Sequence, residues 1–412
     1  WQILGATLLI LAISAAVIVM AKRLPYLFVG WLWFAITLLP VIGIIQISLT
    51  APYAMADRYH YLPSIGIAVM LAWGIPLLFP HENTRKKILF PATMAFLIML
   101  SVLTWKQCGY WKNSITLWDH ALQVTKNNFM AHGNLGVAMF NEGKIEEALD
   151  HYNKALSLKP DHILLYDNRG GAYAELGQYQ YAFEDFNKAI LMKPDYADSY
   201  NCRGIVYSKL GRYQNAIEDF NTAIRLKPDC ADFYNRRGNI YFALNQYQLA
   251  TEDYNKAISL NPNGADAYSN RGAVFAKLGQ YQHAIDDLNK TIVLNPDYLQ
   301  AYTNKAAIYG KLGQYQNVIE NLNKIIRLKS DNSVAYYNRG FSYAKIGQYH
   351  SAINDFNTAI RLKEDYADAY NNRGAVYLNQ GNKELGCSDA RKACALGECA
   401  TLAAANTKGY CH

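Results

Sequence analysis

Residues 56–66, ADRYHYLPSIG, place Asp57, Arg58 and His60 between two long apolar stretches. A guanidinium such as Arg58 can hold a phosphate through charge-assisted hydrogen bonds. One reading therefore makes these three residues neighbours of a lipid-linked phosphate donor. The plainer reading is an Asp57–Arg58 pair that anchors the chain at a polar–apolar boundary, where Tyr53, Tyr59 and Tyr61 also settle. Little else in the sequence suggests catalysis. It contains no G-x-G-x-x-G, Walker loop, H-E-x-x-H or G-x-S-x-G motif. His120, His132, His151, His162, His283 and His350 show no ligand spacing, so neither a metal site nor a cofactor is expected.

Seven cysteines are present, four of them near the end of the chain: Cys387, Cys394, Cys399 and Cys411. None forms a C-x-x-C pair, which argues against zinc and thioredoxin-like chemistry. Cys387 and Cys394 are too far apart along one helix to bond to each other. If the last segment folds back antiparallel, the natural pairs are Cys394–Cys399 and Cys387–Cys411. The alternative is four free thiols. Cys108, Cys202 and Cys230 are expected to be free.

Two kinds of sequence must position these groups. Residues 1 to about 105 are nearly uncharged and rich in Leu, Ile and Ala. They read as about four transmembrane helices, at 1–21, 24–48, 62–79 and 88–105, each near the roughly 20 residues a span needs. Lys22 and Arg23, and then Arg85, Lys86 and Lys87, join successive spans and so mark the cytoplasmic side. Asp57, Arg58 and His60 then face the opposite side, as does everything after residue 105. That side is the periplasm of a bacterial inner membrane or, alternatively, the lumen of the endoplasmic reticulum, where disulfides form. The chain begins with Trp1, so further membrane segments are expected upstream. The net charge of +7 is spread along the chain rather than run together, which gives no support to a nucleic-acid partner.

From Phe129 onward the sequence repeats every 34 residues. Counting from Phe129, glycine recurs at the eighth position (Gly136, Gly170, Gly204, Gly238, Gly272, Gly340, Gly374), with Ala306 replacing it once. Alanine recurs at the twentieth (Ala148, Ala182, Ala216, Ala250, Ala284, Ala352). Small residues at both positions let two antiparallel helices approach closely. Pro160, Pro194, Pro228, Pro262 and Pro296 close the second helix of a pair. Arg at the seventh position and Asp at the twenty-third occur together and vanish together: the first repeat has Leu135 with His151, the sixth Lys305 with Asn321. A structural ion pair between the paired helices is therefore expected, contributing about 1 kcal/mol or less if exposed.

A row of asparagines occupies the sixth position: Asn134, Asn168, Asn270, Asn304, Asn338 and Asn372, interrupted by Cys202 and Arg236. A carboxamide carries both donor and acceptor, so it can satisfy the backbone of an extended peptide without reading its side chains. Asn134, Asn168, Arg236, Asn270, Asn304, Asn338 and Asn372 are therefore the candidate peptide-binding residues. The competing reading is that asparagine is a common solvated choice at this position.

The 34-residue period and its Gly, Ala and Pro positions resemble tetratricopeptide repeats over about two thirds of the chain. The resemblance implies that the first helices line an inner groove, and the asparagine row is similar to that of O-linked N-acetylglucosamine transferase. The expected fold is all-α: polytopic transmembrane helices followed by a superhelical tetratricopeptide solenoid. Its parts are a membrane domain (1–105), a half-repeat that docks the solenoid (106–128), eight repeats with the last degenerate (129–400) and a cysteine-bearing cap (401–412). The order of spans, ADRYHYLPSIG and repeats resembles the transmembrane and tetratricopeptide-repeat-containing O-mannosyltransferases and their bacterial relatives. These are polytopic glycosyltransferases of the GT-C type that use a polyprenyl-phosphate sugar. Their catalytic acid lies in a first outer loop that would precede this chain, so the resemblance supplies no catalytic residue here. Two functions are then open: a membrane-anchored module binding proteins or extended peptides in its groove, or the C-terminal part of a glycosyltransferase whose repeats present acceptor protein. The partners implied are a polypeptide, the lipid bilayer and, in the second case, a polyprenyl-phosphate sugar.

Overall fold

The computed structural model describes residues 13–20, 28–29, 31–32, 83, 87 and 90–411. The chain divides into two compact units, Trp1–Thr116 and Leu117–His412. In the first, residues 13–20 are helical and α1 spans Phe90–Tyr110. The expectation of transmembrane helices is corrected here: among the described residues no helix is long and apolar enough to cross a membrane. α1 covers the fourth expected span. Pro91, Thr93, Ser101 and Thr104 dilute its apolar residues, and Lys106 and Gln107 turn the sequence polar before the helix ends, which leaves it short of an apolar span of roughly 20 residues. Most of the other three expected spans, and Asp57, Arg58 and His60, lie outside the described residues.

α2, Ser114–Val124, starts at a reciprocal cap in which the amide of Thr116 donates to Asn113 Oδ1 at 2.9 Å. The repeat array comes next, as eight antiparallel pairs. They are α3 Phe129–Asn141 with α4 Ile145–Leu158, α5 Ile163–Glu175 with α6 Tyr179–Met192, α7 Ala197–Lys209 with α8 Tyr213–Leu226, and α9 Ala231–Ala243 with α10 Tyr247–Leu260. Beyond these are α11 Ala265–Lys277 with α12 Tyr281–Leu294, α13 Leu299–Lys311 with α14 Tyr315–Leu328, α15 Ser333–Lys345 with α16 Tyr349–Leu362, and α17 Ala367–Asn379 with α18 Lys383–Ala395. A short helix, α19 Ala400–Thr407, packs against α17 and α18.

Local sequence explains this alternation. First helices end at a residue with positive φ, glycine in every repeat but the fourth, where Asn245 substitutes. In the second repeat Gly177 has φ 72°, which lets the amide of Gln178 donate back to the carbonyl of Tyr173 at 2.8 Å. Second helices end before the proline turns. There a tyrosine of the next first helix donates to the proline carbonyl, as Tyr166 does to Pro160 at 3.1 Å and Tyr302 to Pro296 at 3.0 Å.

Close approach sets the small positions. A Cβ on Gly136 would come within 2.6 Å of the Tyr152 ring, and one on Gly170 within 2.8 Å of Phe186. Where the facing residue is leucine the demand relaxes: Gly272 opposes Leu288 at 3.2 Å, and the sixth repeat carries Ala306 opposite Leu322. The six alanines at the twentieth position are fully buried.

The Arg–Asp pairs form in all six repeats that carry them. Arg169 donates through Nε and Nη2 to Asp185 at 2.8 and 2.6 Å, and the same fork joins Arg203 to Asp219, Arg237 to Asp253, Arg271 to Asp287, Arg339 to Asp355 and Arg373 to Asp389. The third arm was not foreseen. Arg Nη1 reaches an asparagine on the second helix of the preceding repeat: Asn153, Asn187, Asn221, Asn255, Asn323 and Asn357 in turn. Each arginine therefore ties three helices together. The carboxylates keep only 6–10% of their side-chain surface exposed, so these are not the exposed pairs of small worth that the sequence allowed.

Two repeats depart from this scheme. In the sixth, Lys305 Nζ donates to Asn289 at 2.7 Å, and Asn321 turns to the carbonyl of Asn317 on its own helix. In the first, the rings of His132 and His151 meet Nδ1 to Nδ1 at 3.0 Å. Burial first, and nearby positive charge second, hold both histidines below their ordinary pKa.

The C-terminal end is closed by two disulfides, Cys387–Cys411 and Cys394–Cys399. Among the described side chains, Cys202 and Cys230 are free.

Replacing Arg237 by Leu leaves Asp253 buried without its partner and is expected to destabilise the array by about 3 kcal/mol. Arg237→Leu combined with Asp253→Leu should recover most of that loss, read by urea unfolding monitored by circular dichroism. A double variant as unstable as the single one would mean that the stranded carboxylate is not the source.

Candidate binding groove

The first helices of neighbouring repeats touch one another along the array, α3 with α5, α5 with α7 and onward to α11 with α13. They form one continuous face. Contact between first helices is sparsest from α13 to α15, beside the sixth repeat.

The sixth-position row lies on these helices; Asn134, Asn168, Cys202, Arg236, Asn270, Asn304 and Asn372 are half-buried and Asn338 is exposed. Some are engaged by neighbours. Asn270 Nδ2 donates to Asn235 at 3.1 Å, Asn372 Nδ2 to Tyr337 at 2.8 Å, and Asn304 Oδ1 accepts from Gln300 at 2.8 Å. Arg236 is turned along its own helix to Asp232, which removes it from any continuous track. The carboxamides of Asn134, Asn168 and Asn338 make no hydrogen bond to another described residue.

Two clefts open on this face. One, of about 460 Å³, lies between α13 and α15 and is lined by Ala307, Gly310, Asn338 and Phe341. The other, of about 380 Å³, lies between α11 and α13 and is lined by Asn270, Ala273, Ala276, Tyr281 and Asn304. The structure thus brings Asn270, Asn304 and Asn338 into clefts and leaves Asn134, Asn168, Arg236 and Asn372 outside them. Small residues line both clefts. Positions nine and twelve are Ala273 and Ala276 in the fifth repeat and Ala307 and Gly310 in the sixth, against Val137 and Phe140 in the first. That pattern was readable in the sequence and was missed.

Buried polarity concentrates between the second and third repeats. Asp167 is 9% exposed and accepts from the Ser199 hydroxyl at 2.7 Å, while its Oδ2 and the Oδ1 of Asn201 are buried without a partner. Burial pushes the Asp167 carboxyl up to about 6; the Ser199 hydrogen bond opposes this, and Asp198 and Asp185 reinforce it. The Cys202 thiol beside it is pushed up to about 12, mainly by burial, so it is no nucleophile at neutral pH.

Similarity to known proteins is concentrated in the array. Tetratricopeptide-repeat models match residues 135–201, 197–230, 238–279, 265–298, 299–332 and 342–381. A protein O-mannosyl-transferase, tmtc2 of Xenopus laevis, is 32% identical over 102 residues, 24% of this chain and 12% of the relative. Protein O-mannosyl-transferase TMTC3 of Homo sapiens is 28% identical over 114 residues, 28% of this chain and 12% of the relative. The chain thus matches about an eighth of these relatives' length. Among solved structures, YrrB, described as a TPR protein with an unusual peptide-binding site, is 23% identical, covering 45% of this chain and 95% of its own at a TM-score of 0.38.

The raised Asp167 carboxyl gives a pH dependence of definite sign. The folded chain keeps that proton up to about pH 6, whereas the unfolded chain releases it near 3.8. Its contribution to stability is full below about pH 4 and is lost as pH rises to about 6. Asp167→Asn should flatten this slope, worth about 3 kcal/mol, as read from melting temperatures compared between pH 4 and pH 8. Parallel profiles for the two proteins would contradict the assignment.

Proposed function

Because this chain belongs to the tetratricopeptide-repeat family, we propose that the face formed by its first helices binds an extended polypeptide. What carries the reading is the placement of Asn270, Asn304 and Asn338 in two adjoining clefts on that face. An extended chain leaves about one N–H and one C=O per residue unpaired, and a carboxamide complements both. The apolar walls, from Tyr281 to Phe341, supply area to bury. A hydrogen bond of this kind contributes about 1 kcal/mol, so losing three weakens binding roughly a hundredfold. The combined variant Asn270→Ala, Asn304→Ala, Asn338→Ala tests this by fluorescence anisotropy with short unstructured peptides. Unchanged affinity would refute the asparagine role.

A second reading is favoured by the relatives' names, which are those of protein O-mannosyl-transferases. In it the bound polypeptide is the acceptor of a mannosyl group carried on a polyprenyl phosphate. Asp57, Arg58 and His60 would stand near that phosphate. Loss of transfer in Arg58→Ala, with peptide binding intact, is the expected signature.

An oxidising compartment for the array is part of the proposal, supported by its two disulfides. Alkylation of the unfolded, unreduced protein before mass spectrometry should label Cys202 and Cys230 and leave Cys387, Cys394, Cys399 and Cys411 unlabelled until reduction. Four alkylated C-terminal thiols would contradict this placement.

A further inference from the structure

We propose that the segment held across the fifth to seventh repeats is acidic, an extended stretch with carboxylates three residues apart. The inference rests on the groove reading above and names its ligand class.

Three lysines occupy the thirteenth position of successive repeats: Lys277, Lys311 and Lys345, each in the last turn of a first helix. All three are exposed, and among the described residues none has a carboxylate within ion-pair distance. Lys277 and Lys311 line the cleft between α11 and α13, and Lys311 also lines the next one. Lys345 lies 5.1 Å over the ring of Phe341, which walls that cleft. A cation at a helix C-terminus is favourable in itself, and elsewhere in the array it is neutralised: Lys209, at the same position in the third repeat, pairs with Glu175 at 2.8 Å.

The opposite rim sharpens the contrast. At the second position the third, fourth, fifth and eighth repeats carry Asp198, Asp232, Asp266 and Asp368 in the first turn of their first helices. The sixth and seventh carry Gln300 and Val334, with no acid in that turn. No carboxylate lines either cleft. The acidic rim is therefore interrupted in the sixth and seventh repeats, and the groove is one-sidedly positive over the cleft between α13 and α15; in the fifth repeat Asp266 remains and accepts at 2.6 Å from the hydroxyl of Tyr298, which lines the cleft between α11 and α13. Positive potential over an apolar floor selects an anionic segment and speeds its encounter.

Spacing specifies the segment further. Helices in direct contact, as α11 and α13 are, lie about 8–10 Å apart, while contact from α13 to α15 is sparser. A polyproline II strand rises about 3.1 Å per residue with three residues per turn, so it presents the same face every 9.3 Å or so. Acidic side chains at every third residue would then meet Lys277, Lys311 and Lys345 in order, while the backbone lies on Asn270, Asn304 and Asn338.

The test uses the full chain and three labelled peptides of one length, carrying Glu, Gln or Lys at every third position, measured by anisotropy at low salt. The Glu peptide should bind at least tenfold more tightly than the Gln peptide, and the advantage should vanish at high salt. It should also vanish in Lys277→Ala, Lys311→Ala, Lys345→Ala, whose fold is checked by circular dichroism, and persist in Lys209→Ala. The charge reversal Lys277→Glu, Lys311→Glu should turn the preference toward the Lys peptide. Equal binding of Glu and Gln peptides would overturn the acidic inference and leave the groove reading standing. Binding of none would overturn both. A single-stranded oligonucleotide of equal charge that bound as tightly would overturn a polypeptide as the occupant.

Discussion

The arginine that joins three helices is the constraint on which the array depends. Hydrophobic burial holds the helices together, but alanine and aromatic side chains alone permit several registers between repeats. The Arg237 fork on Asp253 fixes the pairing within a repeat, and its third arm to Asn221 fixes the preceding one. A planar guanidinium with donors at set angles tolerates little sliding. Repeated six times, the same geometry keeps the first helices on a common face, and that face carries the candidate site.

The sixth repeat lacks this constraint. Lys305 reaches Asn289 but has no carboxylate, and Asn321 satisfies itself on its own helix. The fork is gone, the contact from α13 to α15 is sparse, and the larger cleft lies there. Ala307 and Gly310 keep that space unfilled. Departures from a local rule are expected where a chain serves a function other than stability, and here ladder break, small residues and unpaired lysines coincide.

Much of this was legible in the sequence because each repeat states its physics again. Gly136 through Gly374 reported close helix approach, and the co-occurrence of arginine and aspartate reported the ion pair before any coordinates. The Cys387–Cys411 and Cys394–Cys399 bonds matched a chain that folds back on itself. Other features were hidden. The asparagine arm of each arginine belongs to the preceding repeat and is invisible when repeats are read one at a time. Asn270 and Asn372 look equivalent by position, yet Asn270 lines one of the two clefts and Asn372 neither, because each cleft is formed between the first helices of two repeats. The apolar character of residues 88–105 suggested a membrane span, but the helix formed there is not long and apolar enough to cross a membrane.

The most direct test of a polypeptide-binding inner face is hydrogen exchange across the whole array, with and without a saturating extended peptide. Slowed exchange concentrated in α11, α13 and α15, with the paired second helices unchanged, is the predicted result. Protection confined to the second helices, or none anywhere in the array, would contradict it.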